Sequence, residues 1–192
     1  MTVPRGPGKR AGITLRDILD AAHGLLKAQG QEGLSMRAIA RVLGVAPNAL
    51  YSHTSSKQAL IDELLDDVLA AVPSPAEEDA TRALSTMMTS TYDTLLRHGE
   101  LVPLFLARQG ARGSNAWRLG DQMLLLLERA GVGAGAAREA QRVLIVYTIG
   151  FAAMAAQSSV EADATARLQP RDLRQNFTTG LEWLLRGVTG HQ

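Results

Sequence analysis

Residues 36–53, MRAIARVLGVAPNALYSH, constrain the fold more than any other stretch of the chain. Apolar side chains recur at i, i+3, i+4 and i+7 from Met36 to Leu43, which places them on one face of a helix. Gly44 suits a chain reversal that requires a positive φ. Pro47 fits the first turn of a second helix, because its missing N–H costs nothing there. The segment therefore predicts a helix-turn-helix, whose second helix is too short to be stable without a neighbour.

The charge of the chain is divided unevenly along the sequence. The net charge is only +1, but residues 1–57 contain eight Lys or Arg and three acidic residues, whereas the remainder contains twelve basic and sixteen acidic residues. A positive N-terminal end is what binding to nucleic-acid phosphates requires. Charge alone is equally typical of a solvated surface, and it is the coincidence with the helix-turn-helix that favours nucleic acid.

Composition bounds the fold class and the compartment. Of the 192 residues, 46% are hydrophobic but only 4% are aromatic, which indicates an aliphatic core packed from helices. The absence of cysteine excludes disulfides and thiolate metal sites and fits a reducing cytosol. The N-terminus lacks the apolar core of a signal peptide, and the longest apolar run, residues 143–156, is too short to span a bilayer. We therefore expect a cytoplasmic protein with no membrane partner.

The rest of the chain is predicted to be helical, with no convincing alternating strand. Thr14 and Asp17 form a candidate capping box for a first helix that ends near Gln29. Ser55-Ser56 precede another helix, and a Pro-Ser-Pro sequence at residues 73–75 interrupts the pattern. Further helices are predicted at about residues 76–97, 101–109, 115–130 and 137–157, and a last helix is predicted to follow a loop that ends at Pro170 and to run to about residue 187.

Residues 10–60 resemble the DNA-binding half of the TetR family of bacterial repressors. The resemblance rests on Arg10, Ile18, Ala21, Ala22, Gly30, Gly33, Leu34, Arg37, Ile39, Ala40, Leu43, Gly44, Val45, Leu50, Tyr51, His53, Lys57 and Leu60. Residues 177–188, FTTGLEWLLRGV, resemble the final helix of the same family. The resemblance implies an all-α chain with a three-helix DNA-binding head and a helical body that dimerises and holds a ligand pocket.

The resemblance also implies a division of the chain into functional parts. Residues 1–10 would form a flexible basic arm, and residues 11–57 the helix-turn-helix DNA-binding domain. Residues 58–72 would form a connecting helix. Residues 73–192 would form the ligand-binding and dimerisation domain.

The predicted DNA contacts come partly from chemistry and partly from the resemblance. The N-terminal turn of a recognition helix enters the major groove, so Pro47, Asn48 and Ala49 are expected at base edges. Asn48 is able to pair with adenine in a bidentate manner. The resemblance adds phosphate or groove contacts from Arg37, Tyr51, Ser52, His53 and Lys57. Each of two residues has an alternative role that stays open. Tyr51 would instead pack partly against the first helix, and His53 would instead be an exposed side chain without a contact to DNA.

The helix predicted from about residue 137 is apolar on two faces and must be buried on both. Leu144, Tyr147, Phe151 and Met154 form one face, predicted to look inward, and Val143, Val146, Gly150 and Ala153 form the other. The final helix carries a comparable stripe of Leu173, Phe177, Leu181, Leu184 and Val188. Both stripes would fit a monomer core, but palindromic DNA calls for two heads, which favours a homodimer through the last two helices.

A ligand pocket is predicted inside the body. Aromatic rings, thioethers and a few hydroxyls suit a small, mostly apolar effector molecule. The predicted lining residues are Met88, Thr91, Tyr92, Phe105, Trp117, Tyr147, Phe151 and Met154. The alternative for each is ordinary core packing.

Enzymatic readings find little support in the sequence. The glycines of residues 131–135, GVGAG, lack the third glycine of a dinucleotide loop. The histidines show no metal-ligand spacing, and the paired acids Asp66-Asp67 are expected on a solvated surface. We therefore predict no catalytic residue, no metal and no cofactor. The predicted function is a ligand-responsive repressor that binds a double-stranded DNA operator; the alternatives are a helical small-molecule-binding protein or an enzyme.

Overall fold

The computed structural model describes residues 12–158 and 170–190, and these residues form helices without a strand. The α-helices are α1 (Leu15–Gly33), α2 (Met36–Leu43), α3 (Lys57–Leu69), α4 (Ala80–Arg97), α5 (Val102–Arg108), α6 (Ser114–Arg129), α7 (Ala134–Ser158) and α8 (Pro170–Thr189). Two 3-10 helices, Pro47–Ser52 and Gly99–Leu101, complete the described elements. The all-α prediction is confirmed. The predicted basic arm, residues 1–10, lies outside the described residues.

The chain divides into two compact units, residues 1–60 and residues 61–192. We call them the head and the body. The boundary falls inside α3, so this helix begins in the head and continues into the body without a break in its backbone. None of the described helices combines the length and the apolar character needed to cross a membrane.

Capping residues that were predicted from the sequence define the ends of the helices in the head. The Thr14 hydroxyl accepts a hydrogen bond from the Asp17 N–H at 3.2 Å, and the Asp17 carboxylate accepts one from the Thr14 N–H at 2.8 Å, which confirms the capping box. α1 is kinked at Gly30, where regular helix was expected to end. Gly44 ends α2 with φ of 66°, the left-handed conformation required by the predicted reversal.

The core of the head is small and aliphatic. Ile18, Leu26, Ile39 and Leu50 are fully or almost fully buried. Leu50 is the one buried residue of the 3-10 helix Pro47–Ser52, and it fixes this short helix against its neighbours. The packing explains how six residues hold a helical shape that they could not hold alone.

The core of the body is built around α7, which packs against α4, α5, α6 and α8. Leu84, Leu144, Phe177 and Leu181 are completely buried there. In the final helix, Leu185 is buried, whereas the predicted stripe contained Leu184. The buried positions follow a four-residue spacing from Leu173 onward.

Two predicted helix starts were displaced. α4 begins at Ala80 instead of residue 76, because the Asp79 carboxylate accepts a hydrogen bond from the Arg82 N–H at 2.8 Å and caps the helix there. α7 begins at Ala134, so part of the glycine-rich turn is already helical.

Asp66 was expected on a solvated surface, and this prediction is wrong. Its side chain is buried and caps the N-terminus of α6, accepting hydrogen bonds from the Asn115 N–H at 3.1 Å, the Asn115 side-chain amide at 3.1 Å and the Ala116 N–H at 2.8 Å. Gly113 permits this approach: its φ is 150°, and a side chain there would overlap the carboxylate. A carboxylate at a helix N-terminus also interacts favourably with the helix dipole.

We expect Asp66→Ala to lower the free energy of unfolding by about 1–3 kcal/mol, because the first amides of α6 would lose their acceptor in a buried place. Urea denaturation of the full chain at one protein concentration measures the effect. Glu63→Ala is the matched control, since Glu63 is an exposed carboxylate on the same helix. Equal stability of the two variants would show that the cap contributes nothing.

Candidate functional site

The recognition helix, Pro47–Ser52, presents one buried and several exposed side chains. Ala46 before it is extended, with φ of −70° and ψ of 143°, as a residue preceding proline prefers. Leu50 points into the head, whereas Pro47 and Asn48 are exposed. Ala49, the third predicted base contact, is half-buried. The Asn48 amide is therefore available to a base edge, with its donor and acceptor both on the surface.

Four of the residues predicted to contact phosphates or the groove are exposed and come from two successive elements. Tyr51 and Ser52 belong to the recognition helix, His53 ends it, and Lys57 is the first residue of α3. Tyr51 is 51% exposed, so the phenol remains accessible even though part of the ring is covered. The Ser52 hydroxyl donates to the Ala49 carbonyl at 2.7 Å, which leaves its oxygen, and not its proton, for a partner.

Arg37 lies apart from this group in sequence, near the start of α2, and is exposed as well. α2 itself is capped by the Ser35 hydroxyl, which accepts a hydrogen bond from the Ala38 N–H at 3.1 Å. The exposed head residues thus combine cationic groups with hydrogen-bonding side chains, the chemistry of a surface for phosphates and base edges.

The body contains a mostly apolar cavity of about 150 Å³. Of the predicted pocket residues, Met88, Thr91 and Phe105 line it. The remaining lining residues are Leu69, Met87, Gln109, Gly110, Ala111, Ala116, Leu119, Gly120, Met123, Ile145, Thr148 and Ile149.

The structure places the other five predicted pocket residues outside this cavity. Tyr92 is buried and stacks on Phe177 with ring centroids 4.2 Å apart, and burial raises the pKa of its hydroxyl. Trp117 and Met154 are 70% and 44% exposed. Tyr147 and Phe151 line a surface groove between α7 and α8.

The difference on α7 has a simple geometric reason. The residues that face the cavity are Ile145, Thr148 and Ile149, which are displaced by one or two positions from the predicted Tyr147 and Phe151. One position rotates a side chain by about 100° around a helix. The prediction relied on the aromatic residues of α7. The residues that line the cavity are instead aliphatic or hydroxylic, and in the sequence they resemble ordinary core residues.

Three polar links join the body part of α3 to the helices beside the cavity, and the sequence did not reveal them. Asp66 caps α6, as described above. The Arg108 guanidinium donates two hydrogen bonds to the Asp62 carboxylate, at 2.9 and 2.6 Å, and this pairing raises the pKa of Arg108. Arg118 of α6 donates to the carbonyls of Leu69 and Val72 at 3.3 and 3.2 Å, at the C-terminal end of α3.

α7 and α8 also carry large apolar side chains that the body leaves exposed. Val143 and Val146 are 47% and 70% exposed, and Trp183 on α8 is 65% exposed. Ala153, predicted on the same face as the two valines, is buried. We call Val143, Val146 and Trp183 the exposed apolar face.

Comparison with known proteins identifies both units. Residues 18–64 match the family model described as bacterial regulatory proteins, tetR family. Residues 72–180 match the model described as the tetracyclin repressor-like C-terminal domain. Together the two matches cover most of the chain.

Two curated relatives are repressors. The chain is 32% identical over 162 residues to the tetracycline repressor protein class A from transposon 1721 of Escherichia coli, a match that spans 78% of this chain and 69% of the relative. It is 32% identical over 131 residues to the HTH-type transcriptional repressor DrrR1 of Streptomyces coeruleorubidus. That second match spans 67% of this chain and about half, 47%, of the relative.

Solved structures agree with the sequence matches. The crystal structure of Mycobacterium smegmatis BioQ is similar with a TM-score of 0.80 and 26% identity, covering 94% of this chain and all of that one. A structure of BioQ with its double-stranded DNA operator is similar with a TM-score of 0.72 and 25% identity, covering 93% and 99% of the two chains. The chain therefore belongs to the tetR family of bacterial regulatory proteins, and it is a DNA-binding transcriptional regulator and not an enzyme.

Proposed function

We propose that the protein is a ligand-responsive repressor that binds a palindromic DNA operator as a homodimer. The observation that carries the proposal is the recognition helix, in which Leu50 alone is buried while Asn48 and Tyr51 face solvent. The BioQ complex with its operator supports this assignment, since its chain is similar to this one over nearly its full length.

The recognition helix would enter the major groove with its N-terminal turn first. Asn48 would read a base, most simply adenine, through a bidentate hydrogen bond, and Ala49 would contact a thymine methyl group. Tyr51, His53 and Lys57 would hold the phosphate backbone and set the register of the helix in the groove.

The exposed apolar face supports the assignment of the dimer to α7 and α8. Val146 and Trp183 are each about two-thirds exposed, and with Val143 they lie on the two helices whose apolar stripes were predicted from the sequence to form a dimer. A two-fold axis through this face would pair α7 and α8 with the same helices of a second copy. The two recognition helices would then read half-sites about one helical turn apart, roughly 34–36 Å.

The cavity and α3 supply the route by which a ligand would control DNA binding. Leu69 lines the cavity from α3 itself, while Asp62 and Asp66 tie α3 to α5 and to the start of α6. A ligand that shifts α5 or α6 would therefore shift α3, which continues into the head. If the ligand favours a state in which the heads are wrongly spaced, a coupling of about 1–3 kcal/mol weakens DNA binding by roughly 5–150-fold.

Selection of the full chain against a pool of random duplex DNA tests the proposal. A palindrome with half-sites one helical turn apart is the expected result. Weak binding that shows no enriched sequence and disappears as salt is raised would contradict it, because the head would then be only a non-specific phosphate binder.

Asn48→Ala and Lys57→Ala are expected to weaken DNA binding in different ways. Asn48→Ala should relax the preference at one base position of each half-site, at a cost of about 1–3 kcal/mol for the preferred base. Lys57→Ala should weaken binding to all duplexes alike and reduce the slope of log K against log salt by about 1. Titrations of the selected operator and of single-base variants, at several salt concentrations, measure both effects. An unchanged base preference in Asn48→Ala would show that this residue does not read DNA.

Val146→Glu is expected to convert the dimer to a monomer, because it places a charge on the exposed apolar face, where it would be desolvated on pairing. Sedimentation velocity measures the oligomeric state, and operator binding should weaken with it. Leu125→Glu is the matched control, since Leu125 is 56% exposed on α6 and lies outside the exposed apolar face. A dimer that survives in Val146→Glu would exclude this face as the interface.

A further inference from the structure

The cavity in the body is lined by aliphatic, thioether and aromatic groups from five helices. Among the described residues that line it, Gln109, Thr91 and Thr148 carry the side-chain polar atoms, and none carries a charge. A charged ligand would lose its hydration there without gaining an ionic partner, which is costly in an apolar environment. The lining therefore selects against ions and in favour of neutral molecules.

The volume limits the size of the ligand. A mostly apolar cavity of about 150 Å³ accommodates roughly one benzene-sized molecule. The methionines Met87, Met88 and Met123 at its wall are flexible and adjust to irregular shapes, so a somewhat larger ring-containing molecule also fits.

Thr148 provides a buried polar group of this wall. It is 1% exposed, and its Oγ1 has no hydrogen-bond partner among the described residues. A threonine in a helix is able to donate its hydroxyl proton to the carbonyl four residues earlier. Thr91, Thr178 and Thr189 do so here, at 2.8, 3.1 and 2.9 Å.

Thr148 differs from these three residues because its hydroxyl proton remains available to a ligand. A buried hydroxyl without a partner destabilises the folded state, and a hydrogen bond to a ligand oxygen would remove that cost. Thr91 lines the same cavity, but its proton is already donated to Met87. Thr148 is therefore the wall residue that gains most from a polar ligand atom.

We infer that the effector of this protein is a small, uncharged, mostly apolar molecule whose carbonyl or hydroxyl oxygen accepts a hydrogen bond from Thr148 Oγ1. The inference rests on the proposed function for the meaning of the site, because it names the chemical class of the ligand that the proposed repressor would sense. The apolar walls supply affinity, and the threonine hydroxyl fixes the orientation of the ligand.

Three probe compounds separate the elements of this proposal. Acetophenone carries a ring and one carbonyl oxygen, α-methylstyrene replaces that oxygen by a CH₂ group of similar shape, and benzoate adds a charge. Their dissociation constants are measured by calorimetric titration on the full chain without DNA. The two neutral compounds are expected to bind, and benzoate is expected to bind more weakly than acetophenone.

The decisive quantity is the dissociation constant of α-methylstyrene divided by that of acetophenone, which measures how much the carbonyl oxygen contributes to binding. Thr148→Val removes the hydroxyl and preserves the shape, and we expect it to lower that ratio about tenfold, the value of one good hydrogen bond. Thr148→Ser should retain most of the wild-type ratio. Thr91→Val is the matched control and should leave the ratio unchanged, because that hydroxyl is already engaged. Thermal unfolding of each variant establishes that it is folded.

Several results would overturn the inference. An unchanged ratio in Thr148→Val would exclude the hydroxyl as the anchor, and tighter binding of benzoate would exclude a neutral ligand. Failure of all three probes to bind the wild-type chain would exclude this cavity as a site for small ring-containing molecules. This test is separate from the test of the proposed function. If the chain selects an operator but binds no probe, only the proposed ligand class is excluded. If it binds acetophenone but selects no operator, only the proposed repressor function is excluded.

Discussion

The buried carboxylate of Asp66 is the interaction on which the rest of the architecture depends. It belongs to α3, the one helix shared by the head and the body, and it accepts three hydrogen bonds from the first residues of α6. Because those amides lack partners within α6, neither helix satisfies its polar groups without the other. The start of a cavity-lining helix is thereby fixed to the helix that leads towards the DNA-binding head.

The Asp62–Arg108 pair and the bonds from Arg118 to the carbonyls of Leu69, at the end of α3, and Val72, just beyond it, extend the same connection. Together with Asp66 they tie α3 to α5, to the N-terminus of α6 and to the second turn of α6. Polar links of this kind have preferred geometries, unlike apolar contacts, which slide easily. These links hold α3 to both of the helices, α5 and α6, that also line the cavity.

Sequence reasoning predicted the helix caps and the turn of the head because their determinants are local. The capping box at Thr14, the Ser35 cap and the positive φ of Gly44 each depend on residues within four positions of one another. The all-α fold and most helix bounds followed from the same short-range patterns. Asp66 and Arg108 escaped prediction because their partners lie 46 to 50 residues away, and nothing in a pair of adjacent acids distinguishes a buried cap from a solvated surface. The α7 residues that line the cavity differ from the predicted ones because Thr148 and Ile149 look like core, while the conspicuous aromatic rings line the groove beside α8.

The recognition helix is held in place by a single side chain, Leu50, and this has a consequence for how such a protein changes over evolutionary time. The outward-facing positions of the recognition helix make little contribution to the core, so substitutions there carry a small folding penalty. A lineage is therefore free to acquire a new operator sequence while its scaffold stays intact. Substitutions in the body that alter ligand preference act on a separate set of residues. The two specificities are able to drift independently, and a duplicated copy of the gene could be rewired to a different promoter or a different signal one step at a time.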